Sequence, residues 1–522
     1  MRRSLVILAL LGAVVAVPFL LRPQRPAAGH FDETLVIVTP HNEAIRHEFE
    51  QGFRSWYRAR TGREVFLDWR VLGGGGDITR YLQGEFIGSF RSLWTGRMGR
   101  PWSAAVQSGF LDGRLPGGAP ADVREAREAF LKSDAGCGLD LFFGGGTYEF
   151  ERQALAGCIV DSGIRSEHPE WFVPGAIPAA QGGDVYRDPE GRWIGCVLSC
   201  YGILVNNDCL KRLGIGHPPE SWAGLGDPRL AGQVALADPT RSGSVAEAFE
   251  SIVQQQIRLD GSDVRGGWVN GLRLIQAMGA NARYFTDTSQ KVPIDVADGD
   301  CAAGLCIDFY GRQQEEAIRR RGDPGRLGFV SPAGGSAYSV DPIAMLRGAP
   351  HPRLAEAFIE YVLSMEGQKL WNFRVGAPGG PGEYALRRLP VRRDFYGHGE
   401  WDPLRSDPGV DPYREGADFT YRPEWTGRLF RELAFISRVM AEDAHPELVR
   451  AWSAIRVARE PARGRALAVL QDMSAVTYDR ADGPVRRALE SKDPSEEVRM
   501  ARDLAASFRR QYGRAEAIAG GR

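Results

Sequence analysis

Glu33–Gly76, ETLVIVTPHNEAIRHEFEQGFRSWYRARTGREVFLDWRVLGGGG, decides the fold. Glu33 to Thr39 is a short, β-branched, apolar run, the pattern of a strand buried on both faces of a parallel sheet. A helix is predicted to follow at once. Thr39 offers an N-cap, Pro40 suits the first helical position, and Ile45, Phe49, Phe53 and Trp56 form one apolar stripe. Val65, Leu67, Trp69 and Val71 then alternate on one face of a second strand that runs into Gly73–Gly76. Strand, helix, strand and glycine loop make a βαβ unit, so the chain is expected to be α/β.

Working outward, Leu139 to Phe143 predicts another buried strand, ending in Gly144-Gly145-Gly146-Thr147 and a helix through Leu155. Residues 77–135 read as an irregular, partly helical insertion rich in Gly, Pro and Arg. Trp193 to Asn206 reads as one long strand with a Gly near its middle, of the kind that passes between lobes. Asp238–Ser244 opens a helix with the stripe Val245, Phe249, Ile252 and Val253. Cys301 to Tyr310 reads as a strand, Gly328 to Leu346 as a turn and an apolar strand, and Leu354 to Leu363 as a helix. From Phe395 onward the chain is helix-prone with mixed charge.

Composition narrows the class. The 522 residues are 43% hydrophobic and 25% charged, which excludes wholesale disorder and a multi-span membrane protein. Lys+Arg (65) and Asp+Glu (66) nearly cancel, so no bulk basic surface for nucleic acid is present, and no nucleic-acid partner is expected. At the N-terminus Arg2-Arg3 precedes an uncharged apolar run from Leu5 to Leu21. Residues 1–30 are therefore expected to be a signal peptide or an N-terminal membrane anchor, which would contact the membrane if uncleaved. Seven cysteines (Cys137, Cys158, Cys196, Cys200, Cys209, Cys301, Cys306) leave at least one thiol unpaired. Cys196 and Cys200 lie too far apart along a strand to bond, and no spacing fits zinc. Buried apolar thiols are expected, with one disulfide as the alternative.

Three strands end where small or polar residues replace bulk: Thr39-Pro40-His41-Asn42, Gly73–Gly76 and Gly144–Thr147. Ligands in open α/β sheets bind beyond the carboxyl ends of strands, at helix N-termini. Thr39, His41, Asn42, Gly74, Gly75, Gly145 and Thr147 are therefore candidates. Thr240, Ser242, Gly243 and Ser244 offer hydroxyls and N–H groups for an oxyanion, while Ser244-x-x-Glu247 is also a capping box able to satisfy its own donors. Both readings stand if Thr240 and Ser242 face the ligand. Asp308 and Tyr310 close a strand with an acceptor and a phenol, and Ser199, Tyr201, Ser336 and Tyr338 complete the set. The sequence has no G-x-S-x-G, Walker A loop, H-E-x-x-H or G-x-G-x-x-G, and nothing sets a nucleophile beside its base. No catalytic residue, enzyme activity or cofactor is expected.

From Leu35 to Pro390 these segments together resemble the extracellular solute-binding proteins of ABC importers, in the branch that includes ferric-ion receptors. The resemblance is strongest in ADPTRSGS (237–244), CIDFYGR (306–312) and SVDPIAMLRGAPHPRLAEAFIEYVLSMEGQKLW (339–371), and extends to SCYGILVNND (199–208) and SWAGLGDPRLAGQVALADP (221–239). It implies a two-lobed periplasmic-binding-protein-like α/β fold with hinge strands, plus a helical C-terminal extension. Residues 31–199 and 325–394 would form lobe 1, with the insertion at 77–135. Residues 200–324 would form lobe 2, and 395–522 the extension, with crossings near Ser199 and Ser331. It further implies a small-molecule solute held between the lobes, ABC permease and ATPase partners, and a location in the periplasm or on the extracytoplasmic face of the inner membrane. Ferric receptors use an early His, which His41 resembles, and two adjacent Tyr where this chain has Phe309 and Tyr310. With one phenolate missing, no metal is favoured; His41 and Tyr310 would be the ligands of a ferric ion. Asp308, expected to alternate away from Phe309, adds little to that set. Relatives that take phosphorylated sugars or phosphonates fit the hydroxyl-rich helix start better, so a phosphorylated or carboxylated metabolite is the leading solute. A membrane-anchored sensor or an extracytoplasmic hydrolase on the same fold is the alternative of another class.

Overall fold

Leu35, Ile37 and Val38 are fully buried in a computed structural model that describes residues 31–491 and 493–521. The segment 1–30, on which the signal or anchor expectation falls, lies outside the described residues. Among the described residues no helix is long and apolar enough to cross a membrane.

The strands are β1 (Glu33–Val38), β2 (Val65–Arg70), β3 (Leu141–Phe143), β4 (Ile159–Val160), β5 (Ile194–Ser199), β6 (Tyr201–Asn206), β7 (Val234–Ala237), β8 (Ala282–Thr286), β9 (Ala303–Ile307), β10 (Leu327–Val330), β11 (Ser339–Leu346) and β12 (Leu389–Pro390). The first sheet runs β12-β5-β11-β3-β1-β2, with β4 beside β11; the second runs β8-β7-β9-β6-β10. β1 pairs in parallel with β2 and β3, as the apolar runs predicted. Between β1 and β2, helix α1 (Glu43–Thr61) buries Ile45, Phe49, Phe53 and Trp56 and ends at Gly62 with φ 73. Its N-cap is Asn42 rather than Thr39, because Thr39 Oγ1 instead donates to Phe143 O across the sheet.

Further differences from the sequence reading have local causes. The segment 193–206 is two strands, not one. β5 pairs with β11 in the first sheet and β6 with β9 and β10 in the second, so the chain changes sheet at Cys200. β10 belongs to the second sheet and β11 to the first, so the chain returns between Val330 and Ser339, by the crossing expected near Ser331 and after the lobe boundary expected at 325. The crossings run side by side: Ser339 pairs with Ser199, and Tyr201 N donates to Ser336 Oγ. The segment after the glycine loop is regular, with α2 (Gly75–Ser92) burying Ile78, Leu82, Phe86 and Phe90. The strand predicted over 301–310 stops at Ile307, where α6 (Asp308–Arg320) begins. The other helices bearing on the site are α3 (Thr147–Ala156), α4 (Gly243–Leu259) and α5 (Val264–Asn281).

Residues beyond 395 are largely helical and cross from one sheet's side to the other's. Phe395 packs on Phe373, and Tyr421 N donates to Gly182 O. Gln254 of α4 both donates to Arg422 O and accepts from Arg422 N. Further on, the buried Trp268 of α5 donates to Val476 O, and Gln276 donates to Leu470 O and Tyr512 OH. This segment also returns to the first lobe, where Phe430 lies 4.9 Å from the Tyr148 ring. All seven cysteines are free, and six are buried.

Candidate functional site

Helices α2, α3, α4 and α6 all begin at one cleft between the two sheets. The cleft has a volume of about 300 Å³. One side carries His41, Gly74, Gly75, Gly145 and Gly146; the other carries Ser242, Gly243, Ser244, Phe309 and Tyr310. The N-caps of α2, α3 and α6 are Gly74, Gly146 and Ile307, none of which supplies a side-chain cap. An uncapped helix start presents free N–H groups and about half a unit of positive charge. Three such ends and the Ser242-capped start of α4, all facing one cavity, favour a bound anion. Asp77 covers one of these groups, accepting from Gly74 N at 3.2 Å.

The floor of the cleft is an ion pair that sequence reasoning missed. Arg388, fully buried, donates to Asp341 Oδ2 at 2.6 Å, approaches His41 Nε2 at 3.4 Å and reaches Ser199 Oγ at 3.4 Å. Its guanidinium lies 4.2 Å from the Phe309 ring centroid, a cation–π contact at the residue that replaces a tyrosine. Burial alone would push the Asp341 carboxyl up. Arg388 and the His41 hydrogen bond outweigh burial and hold it at about 2. Burial lowers the His41 pKa, so the ring is neutral; its Nε2 lies 3.3 Å from Asp341 Oδ2. The one trace of Arg388 in the sequence is an arginine set between Leu386 and Leu389, both fully buried.

Two carboxyls meet across the cleft near Gly146. A Cβ built on Gly146 would lie 3.1 Å from Glu149 Oε2 and 2.7 Å from Glu247 Oε1. The capping box expected of Ser244 and Glu247 does not form: Ser242 caps α4 by accepting from Val245 N, while Glu247 Oε2 accepts from Tyr201 OH and Ser339 Oγ. Burial pushes Glu149 up to about 7, and burial with the nearby Glu149 and Asp341 pushes Glu247 up to about 8. Both groups keep protons that a solvated glutamate loses near 4.5. Folding stability on their account is therefore full below about pH 4.5 and falls as pH rises toward 8. Glu247→Gln keeps an acceptor for both hydroxyls and removes one titration. Unfolding free energies measured at pH 5 and pH 8 should differ less in this variant than in the wild type, by on the order of 2 kcal/mol. An unchanged difference would show that Glu247 titrates normally.

Eight of the sequence candidates line the cleft: His41, Gly74, Gly75, Gly145, Ser242, Gly243, Ser244 and Tyr310. The others are engaged elsewhere. Thr39 bonds Phe143 O, Asn42 caps α1, Thr147 begins α3, Ser199 meets Arg388 and Tyr201 donates to Glu247. The Thr240 hydroxyl donates to Asp238 Oδ1 at 2.6 Å, Ser336 Oγ accepts from Tyr201 N and Tyr338 OH donates to Glu415 Oε2. Asp308 is fully buried, with Arg312 Nη1 at 3.9 Å, because it sits in the first turn of α6 and not on an alternating strand. Among the described residues no group of three or more His, Cys, Asp or Glu could hold a metal ion.

An uncharacterized protein of Haemophilus influenzae is 27% identical over 236 residues, covering 44% of this chain and 60% of its own length. The phosphoglycerate transport regulatory protein PgtC of Salmonella typhimurium is 28% identical over 223 residues, covering 43% of this chain and 50% of its own length. The chain thus spans about half to three fifths of the curated relatives it matches. Among solved structures, the periplasmic binding protein AfuA of Actinobacillus pleuropneumoniae, with fructose-6-phosphate bound, superposes with a TM-score of 0.48 at 18% identity, over 81% of this chain and 98% of its own. Iron-bound HitA of Pseudomonas aeruginosa gives 0.47 at 17% identity, over 77% and 99%. Residues 175–385 match the family model of the bacterial extracellular solute-binding proteins.

Proposed function

We propose that this chain is an extracytoplasmic receptor that closes two lobes on a small oxygen-rich anion and delivers it to an ABC permease and its ATPase subunits. The solute is a phosphorylated or carboxylated metabolite. The observation that carries this reading is the convergence of four helix N-termini on one cleft, three of them without a side-chain cap. The acids in the cleft do not oppose it: Asp341 is neutralised by Arg388, Asp77 is paired with Arg80, Glu149 holds its proton to about pH 7, and Asp287 lies 4.0 Å from Arg241. The PgtC name, phosphoglycerate transport, agrees with the same ligand chemistry. On this reading the receptor binds its solute without turnover.

A panel of sugar phosphates, 3-phosphoglycerate and ferric citrate, read by calorimetry and small-angle scattering, tests the proposal. A phosphorylated or carboxylated member should bind one to one, lower the radius of gyration and raise thermal stability with its concentration. Tight binding with an unchanged scattering curve would overturn the closing-receptor mechanism and favour a rigid pocket. The second reading, a ferric receptor, rests on His41 and Tyr310 both facing the cleft. Against it, the Arg388 guanidinium 3.4 Å from His41 Nε2 repels a trivalent cation, and burial pushes the Tyr310 phenol well above its usual range. Adding a ferric chelate should therefore give no tyrosinate charge-transfer band. A band that disappears in Tyr310→Phe would reverse the order of the two readings.

A further inference from the structure

Beyond Glu149 the cleft continues into a second chamber of about 500 Å³, and Glu149, Arg241 and Gly243 line both. Three parts of the chain wall the chamber: α2 and α3 of the first lobe, the start of α4 in the second, and residues 430–438 with Leu489 and Glu497 of the C-terminal segment. Five arginines face it (Arg80, Arg152, Arg241, Arg431 and Arg438) against two carboxyl groups, Glu149 and Glu497. Four of the arginines have carboxylate partners: Arg80 with Asp77, Arg241 with Asp287 at 4.0 Å, Arg431 with Glu497 at 2.5 Å and Arg438 with Asp443 at 3.5 Å. Arg152 has no ion-pair partner among the described residues and lies 5.7 Å over the Tyr148 ring. Two buried polar atoms on its wall, Thr79 Oγ1 and Glu149 Oε2, have no hydrogen-bond partner in the protein. The unpaired Arg152 guanidinium and the unanswered Thr79 hydroxyl, with four further guanidinium groups around them, offer donors to an oxyanion.

We propose that the C-terminal segment completes a second anion subsite, so that the solute carries two anionic groups, one at the helix N-termini and one among the arginines. This deepens the receptor reading and rests on it. It gives residues 430–438 a role in specificity, since Arg438 and Arg431 come from outside the two sheets. Guanidinium supplies paired N–H donors to phosphate or carboxylate, and the apolar Phe430 and Tyr148 rings beside them limit water that would screen the charge.

Alkane α,ω-bisphosphonates of two to six carbons, compared with alkyl monophosphonates of the same chain lengths, test the proposal by calorimetry. At least one bisphosphonate should bind one to one and about thirtyfold or more tighter than its monophosphonate, a gain that shrinks with added salt. Arg152→Gln with Arg438→Gln should reduce that ratio about tenfold or more, while Arg499→Gln, exposed on the last helix and outside the chamber, should leave it unchanged. Circular dichroism and melting of the double variant check that it folds. Monophosphonate binding with no bisphosphonate gain, or a gain that survives the double variant, overturns the second subsite alone. Two monophosphonates per chain without a bisphosphonate gain overturns it in favour of independent anion sites. No binding in either series overturns the anion receptor as well.

Discussion

Arg388→Leu should destabilise the first lobe by about 3–5 kcal/mol and abolish solute binding. The loss is large because the guanidinium is wholly buried and is the main partner of Asp341. Without it the Asp341 carboxyl loses what holds it near 2 and must either stay charged with His41 as its remaining partner or take up a proton. The Phe309 face also loses its cation. Asp341→Asn combined with Arg388→Leu removes both charges and should recover a substantial part of the stability, because exchanging a whole buried pair for neutral groups often costs little. Urea denaturation of the two variants checks this. Equal midpoints for the single and the double variant would show that Asp341 and Arg388 are not energetically coupled.

Gly74→Ala should separate closing from folding. Gly74 has φ -76 and ψ 175, extended backbone that alanine adopts freely. A Cβ there meets nothing of its own lobe; its single neighbour within 4 Å is the backbone oxygen of Arg241 in the other lobe, at 2.8 Å. Backbone cannot swing aside as a flexible side chain does, so the methyl group wedges the lobes apart. Solute affinity is expected to fall about tenfold to a hundredfold, while the melting point of the ligand-free protein changes little. The radius of gyration should then stay at its open value with and without solute. Compaction by solute equal to that of the wild type would mean that closure does not bring Gly74 against Arg241.

The parts of this fold that showed in the sequence are those whose reason is local. β1, α1 and β2 follow from a β-branched run, a four-residue stripe and an alternation, each complete within about twenty residues. The glycine loops were legible as helix starts for the same reason. Arg388 and Glu247 were not, because their partners are distant: Asp341 is 47 positions from Arg388, and Ser339 is 92 from Glu247. Glu247 also shows how a valid local motif is outbid. Ser244-x-x-Glu247 satisfies the capping pattern, but the buried hydroxyls of Tyr201 and Ser339 need an acceptor, and an unmet buried donor costs more than a lost cap. Asp308 was misplaced by a single boundary: once the strand ends at Ile307, the next residue obeys helical rather than alternating geometry. The second chamber had no signal in the sequence, since its arginines lie on four segments between residues 80 and 438 that only the folded chain assembles.

Cys200 is the residue at which the chain leaves one sheet for the other, and its Sγ lies 3.9 Å from Ser331 Oγ on the return crossing. Its thiol is buried in the closed arrangement, and burial pushes its pKa far above that of a free cysteine. Any bending at the crossings loosens the packing around this one sulfur, while Cys196 and Cys306, inside the first and second sheets, stay covered as long as each lobe keeps its core. The protein thus carries an intrinsic chemical clock. Its Cys200 alkylation rate is the product of an opening equilibrium and a fixed bimolecular rate, and the two sheet thiols serve as unreactive standards. Solute that holds the lobes shut slows that clock in proportion to its occupancy, so solute affinity becomes measurable on the unlabelled native chain without a fluorophore or an engineered site.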